Sequence, residues 1–169
     1  MLPDDLRAML RNFEHPKSPH QRMVEDFMAK ARQEVPLFPI IPSPEVRRLR
    51  AKIILEEALE TINGLGFDVV VTGGHRIVTK ECVEFSSDGH VPPDLVEIVD
   101  GCADIRVVTT GTLSACGVPD ELVQLEVDTN NLAKFGPGGY RRESDGKWMK
   151  PPGHQPPRIR EILDYLQGE

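Results

Sequence analysis

Hydrophobic positions recur at helical spacing along most of this chain, and one stretch switches to a strand-like pattern. Residues 1–15 carry Leu2, Leu6, Met9, Leu10 and Phe13, a short helical pattern broken between His15 and Pro19. Residues 19–34 predict a helix with Ser18 as N-cap, Pro19 at the first position, and Met23, Val24, Phe27, Met28 and Ala31 as its buried stripe. Prolines between Val35 and Pro44 then forbid a regular helix and favour an extended strap. Ser43-Pro44-Glu45 supplies an N-cap, an N1 proline and an early carboxylate for a second helix, which Asn63-Gly64 stops. Leu49, Ile53, Leu55, Ala58, Leu59 and Ile62 form its apolar face.

Residues 67–85 are rich in β-branched side chains on either side of Gly73-Gly74, which predicts a β-hairpin turning at that pair. A two-stranded ribbon is marginal alone, so it should pack on the helices or on another subunit. Pro92-Pro93-Asp94 opens a third helix. Its apolar run, from Val96 to Leu113, is interrupted only by acids and Arg106, and predicts a central, largely buried element. Gly117-Val118-Pro119 ends it, and Pro119-Asp120-Glu121 begins a fourth helix with Leu122, Val123, Leu125, Val127 and Leu132 on its face. From Phe135 to Pro157 the chain reads as loop, and a last helix covers about 157–166.

Two of these helices carry acidic clusters. Glu57 and Glu60 share a face of the second helix, next to Glu56; Glu97, Asp100 and Asp104 share a face of the third. Like charges stacked in this way repel. Two such faces pointed at each other would need cations between them, and carboxylate-only donors suit a hard cation such as Mg²⁺, whose shell is completed by water and substrate phosphates. Asp100 and Asp104 sit among Val, Ile, Ala and Cys, and a carboxylate on a buried helix must be paired or metal-bound to stay charged. Salt bridges to Arg50 or Arg106 are the competing explanation.

A second group is basic. Asn131 and Lys134 share a helix face, and a Gly-rich loop then brings Arg141, Arg142, Lys147 and Lys150 close in sequence. Such cations can hold phosphate oxygens, and Gly-rich backbone lets N–H groups approach the same anion. No Walker-type phosphate loop is present. Trp148 and Tyr140 could stack on a base or pack the tail onto the helices.

Composition narrows the setting. The net charge of −7 over 169 residues argues against broad nucleic-acid binding. Cys82, Cys102 and Cys116 have no CxxC spacing and read as free thiols of a reducing compartment. Neither a signal-like leader nor a membrane-length apolar run is visible, so a soluble cytoplasmic protein is expected. A modest core with many prolines and glycines points to burial against another copy.

The spacing Glu57-x-x-Glu60 followed by Glu97-x-x-Asp100 resembles the ExxE…ExxD signature of the all-α nucleoside triphosphate pyrophosphohydrolases. That group includes MazG-like proteins, dimeric dUTPases and phosphoribosyl-ATP pyrophosphohydrolase. The similarity covers about residues 45–152. The run from Asp100 to Ile105 with Val108 and Gly111-Thr112 resembles the second metal helix of the MazG-like branch. Glu126-Val127, Asn131 and Lys134 resemble its next helix, and Asp145-Gly146-Lys147 with Lys150-Pro151 its tail.

Two departures stand out. Many relatives place a Glu three residues before the final Asp; if Asp104 is that Asp, Gly101 occupies the Glu position. The hairpin at 67–85 also lengthens the gap between the metal helices.

The resemblance implies a single MazG-like domain: an all-α bundle with a small hairpin insertion, an N-terminal arm (1–18), a metal-binding core (about 45–135) and a basic tail (136–157). It implies a homodimer or homotetramer that hydrolyses a (deoxy)nucleoside triphosphate to monophosphate and pyrophosphate with Mg²⁺, or Mn²⁺ as substitute, in nucleotide-pool house-cleaning. Glu57, Glu60, Asp100 and Asp104 would hold the metal, with Glu97 as a further candidate and Glu56 or Glu57 as base. Lys134, Arg141, Lys147 and Lys150 would steady phosphates, and Asn131 would bond sugar or phosphate. The alternatives are a non-catalytic nucleotide- or metal-binding module and phosphoribosyl-ATP pyrophosphohydrolase itself. No membrane or nucleic-acid partner is expected.

Overall fold

Local capping chemistry sets the helix boundaries. In the computed structural model, which describes residues 17–73, 78, 82–86, 92–135, 137–143, 146 and 148–168, the Ser18 hydroxyl accepts from the Gln21 backbone N–H and starts α1 (Pro19–Lys30). The Ser43 hydroxyl accepts from Val46 N–H and starts α2 (Pro44–Gly64). The Asp94 carboxylate accepts from Val96 N–H just ahead of α3 (Leu95–Ala115). These side chains satisfy donors that the helix itself leaves open. Further along lie α4 (Asp120–Leu132), a 3₁₀ turn (Ala133–Phe135) and α5 (Ile159–Gln167). The architecture is mostly helical, with two small antiparallel sheets. The helical pattern at 1–15 lies outside the described residues.

The chain divides into two compact units, one formed by residues 1–41 with 113–169 and the other by 42–112. In the first, Val24 and Met28 of α1 are buried, as are Ala115, Val118, Leu122 and Ile162. The buried face of α1 is therefore Gln21, Val24 and Met28, while Met23 and Phe27, expected in the stripe, face outward. Gln21 is fully buried yet satisfied: its side chain donates to Ser114 Oγ and the Val118 carbonyl and accepts from Asp120 N–H. Glu126 of α4 is buried and grips Arg158 through the backbone N–H (2.9 Å), Nε (3.2 Å) and Nη2 (3.1 Å), fixing the entry to α5. Gly117 ends the α3 turn at φ 72°, where a Cβ would collide with the Phe38 carbonyl, so the proline strap lies directly against it. An apolar cavity of about 570 Å³ opens between the strap and α5, lined by Ile40, Ile41, Val123, Ile159 and Leu163 among others.

In the second unit the hairpin between α2 and α3 is present, but it does not turn at Gly73-Gly74. β1 (Asp68–Val71) pairs with β2 (Val83–Ser86), Asp68 opposite Ser86 and Val71 opposite Val83, and Thr72 N–H donates to the Cys82 carbonyl. The midpoint of this register falls on residues outside the described set. The observed pairing sets Val71 against Val83 and Val69 against Phe85, uniting β-branched and aromatic neighbours across the ladder. A two-residue turn would not bring these partners together.

The tail is not all loop. β3 (Tyr140–Arg141) pairs with β4 (Trp148–Met149) around Gly146 at φ 69°. Strands of two residues have no hydrophobic period, so the pattern of the chain conceals them. Cys82, Cys102 and Cys116 are free thiols. Among the described residues no helix is long and apolar enough to cross a membrane.

Candidate functional site

Helices α2 and α3 meet where their side chains are smallest. A Cβ on Gly101 would overlap Thr61 Oγ1 and lie 3.0 Å from Thr61 Cα. A Cβ on Gly64 would lie 3.0 Å from Glu97 Cβ and 3.2 Å from the Ile98 backbone nitrogen. Thr61 pairs with 101 and Gly64 with 97–98, so the two helices run antiparallel at this contact. Thr61 is buried, and its hydroxyl donates back to the Glu57 carbonyl at 2.7 Å, which leaves only a hydrogen atom's worth of room opposite. Gly101 is therefore the residue the backbone approach demands. No side chain, an acid included, fits at that position.

One turn along from Thr61 and Gly101, the same antiparallel course carries Glu57 towards Asp104. The ionisation of Glu57 registers the result. Its carboxyl is raised above the ordinary 4.5 by partial loss of hydration first, then by the negative charges of Asp104, Glu60, Glu56 and Asp100 in that order. Asp104, on another helix, outranks Glu60, one turn away on the same helix. Five carboxylates from two helices thus share one neighbourhood. Glu97 is not among the charges acting on Glu57; it lies beside Gly64 at the other end of the contact.

The expectation that Asp100 and Asp104 are buried is not met: both are exposed, and so is Glu60. The apolar residues around them do not make an interior. Leu95 is 74% exposed, Val96 73% and Val99 60%, so α3 is not a buried central helix within this chain. Burial therefore does not force these acids to be paired. Nor does pairing explain them: no hydrogen bond or ion pair joins Glu60, Asp100 or Asp104 to any side chain among the described residues, and the ion pairs observed there are Lys17–Glu25 and Arg158–Glu126.

The donor set is chemically suited to a hard divalent cation, being all carboxylate oxygen. It is not assembled as a coordination shell, since no group of three or more His, Cys, Asp or Glu among the described residues stands close enough to hold a metal ion. Exposed like-charged side chains spread apart, and they retain the rotamer freedom to close on a cation.

The basic candidates belong to the first unit. Lys134 Nζ donates to Asn131 Oδ1, tying together the two residues expected to share a face. Arg141 on β3 donates through Nε to the Gly146 carbonyl and closes the short hairpin. Lys150 is exposed beyond β4, and Lys147 lies outside the described residues. Sequence reading missed the aromatic pair beside them: Phe135 and Trp148 stack with ring centroids 4.7 Å apart and an interplanar angle of 28°. The signal available was the short spacing from Lys134-Phe135 to Lys147-Trp148 across glycines. When compared with known proteins, the chain matches no family model and no curated sequence.

Proposed function

We propose that this protein is a Mg²⁺-dependent pyrophosphohydrolase of the MazG-like kind, cleaving a (deoxy)nucleoside triphosphate to monophosphate and pyrophosphate. The observation that carries the reading is the close contact of α2 and α3 at Thr61–Gly101 and Gly64–Glu97, which sets their acidic faces along each other around Glu57. It is joined by the resemblance of the acidic and basic motifs to that group. Glu57, Glu60, Asp100 and Asp104 would hold the metal, and Mn²⁺ would substitute. Bound there, the cation supplies neutralisation of the triphosphate and acidification of an attacking water. Glu56, on the same helix as Glu57, would orient the attacking water as base. Glu57, whose carboxyl is raised above its ordinary value, is the alternative base. In the first unit, Asn131, Lys134, Arg141 and Lys150, with Lys147, are the residues that the resemblance implies for phosphate and sugar oxygens.

The exposed apolar side chains of α2 and α3, among them Leu55, Leu95, Val96 and Val99, support a homodimer or homotetramer in which a second copy covers them. Covering α3 would also dry the carboxylates and strengthen their hold on a cation. Nucleotide-pool house-cleaning in the cytoplasm is the biological role this reading assigns.

The test is substitution of single acids. Glu60→Gln and Asp104→Asn should abolish pyrophosphate release while the fold survives, because these side chains have no hydrogen-bond or ion-pair partner among the described residues. Unfolding of both variants would count for structural ion pairs and against a metal site. A second reading, a non-catalytic module that binds Mg²⁺-nucleotide, is favoured by one observation: the carboxylates are not preassembled. It predicts Mg²⁺-nucleotide binding without release of pyrophosphate.

A further inference from the structure

A large apolar ring left in water is ordinarily mobile or covered, and Phe135 is neither. It is 62% exposed, yet it sits in a 3₁₀ turn directly after α4 with one face against the Trp148 indole. Trp148 in turn is held at three points. Its backbone pairs with Arg141 in the β3–β4 ladder, its indole N–H donates to the Lys134 carbonyl at 2.7 Å, and the hairpin carrying it is closed by the Arg141–Gly146 hydrogen bond at 3.0 Å. An indole whose N–H is committed to a backbone carbonyl cannot turn away. These contacts hold the indole in place, and with one face of Phe135 against it, exposure this large leaves the opposite face open.

The residues that lead into the ring suit a nucleotide better than an apolar partner. Lys134 directly precedes Phe135 and donates to Asn131 at the end of α4, offering a cation and an amide. Flat aromatic faces backed by a second ring and edged by a cation are how proteins hold bases without reading their sequence. The geometry points to Phe135 as a stacking platform for the nucleobase, backed by Trp148, with Lys134 and Asn131 taking the adjoining sugar-phosphate. This assignment rests on the nucleotide reading above and adds the residue that grips the base.

Trp148 is the only tryptophan in the chain, so its emission reports on the platform directly. The full-length protein is titrated with deoxynucleoside monophosphates, which need no turnover, and in parallel with inorganic pyrophosphate and tripolyphosphate. Monophosphates should quench or shift the Trp148 emission, and the two inorganic anions should not. Phe135→Ala and Phe135→Leu should each weaken monophosphate binding about tenfold, since one stacked base is worth roughly that much. Phe135→Tyr should restore it, with circular dichroism unchanged throughout. Equal quenching by pyrophosphate, or unaltered affinity in Phe135→Ala, would overturn the assignment. So would dissociation of Phe135→Ala oligomers in sedimentation with base binding intact, which would make the ring a contact between copies. Failure of the two readings is separable. Base-dependent quenching with no pyrophosphate release from triphosphates upholds the platform and removes the hydrolase; release that Phe135→Ala leaves untouched does the reverse.

Discussion

Replacing Gly101 by alanine tests whether α2 and α3 meet where the acidic site requires. Alanine in mid-helix is intrinsically favoured over glycine by about 1 kcal/mol. If α3 were free at this position, Gly101→Ala would stabilise the protein by about that amount. The contact with Thr61 reverses the sign. The new methyl group overlaps Thr61 Oγ1, and because it also lies 3.0 Å from Thr61 Cα, rotating the hydroxyl away does not relieve the whole clash. Rotation would moreover break the 2.7 Å bond from Thr61 Oγ1 to the Glu57 carbonyl. Overpacking of this kind costs about 1–3 kcal/mol. Adding about 1 kcal/mol for the broken hydrogen bond and subtracting the helix preference leaves a net loss of about 1–3 kcal/mol, or roughly 3–9 °C in melting temperature for a chain of this size. Thr61→Ala removes the hydroxyl and should recover part of the loss in the double variant, giving a coupling that equilibrium denaturation can measure. A Gly101→Ala protein that is as stable as the parent, or more so, would refute the close approach and with it the convergence of Asp104 on Glu57.

Other perturbations bear on separate parts of the account. Glu57 has a folded-state affinity for protons above its unfolded value, so the native state binds more protons and stability falls as pH rises from about 4.5 through the raised value. Glu57→Gln should flatten that fall in a pH series of denaturation curves; an unchanged slope would remove Glu57 as its source. Adding Mg²⁺ should raise the melting temperature of the parent and not of Asp104→Asn, while equal shifts would place the cation elsewhere. Glu126→Ala should cost about 2–3 kcal/mol by removing the hydrogen bonds that it accepts from the Arg158 backbone and guanidinium, and a change under 1 kcal/mol in urea denaturation would show the pair to be dispensable.

What the sequence made legible is what depends on neighbours along the chain. Ser18-Pro19 and Ser43-Pro44 announced their helices because capping is settled within a single turn. The α3 and α4 boundaries followed from Pro-Asp and Gly-Val-Pro punctuation for the same reason. The hairpin's existence was visible in its β-branched runs, but its register was not, because cross-strand partners rather than the glycine pair decided it. The exposure of Asp100 and Asp104 was hidden by their apolar neighbours, which suggest an interior that this chain alone does not build. Gly101 looked like a defect in the acidic motif, and only the position of Thr61 on another helix explains it. The Glu126–Arg158 pair and the Phe135–Trp148 stack join residues far enough apart that no periodicity connects them.

Pyrophosphate release from a panel of dNTPs and NTPs including dUTP, measured with Mg²⁺ and again with EDTA, tests the central claim most directly. The account predicts release with Mg²⁺ for at least one nucleotide, none with EDTA, and none from Glu60→Gln. Release that persists in EDTA or in Glu60→Gln, or no release from any nucleotide by a protein that binds Mg²⁺, would contradict it.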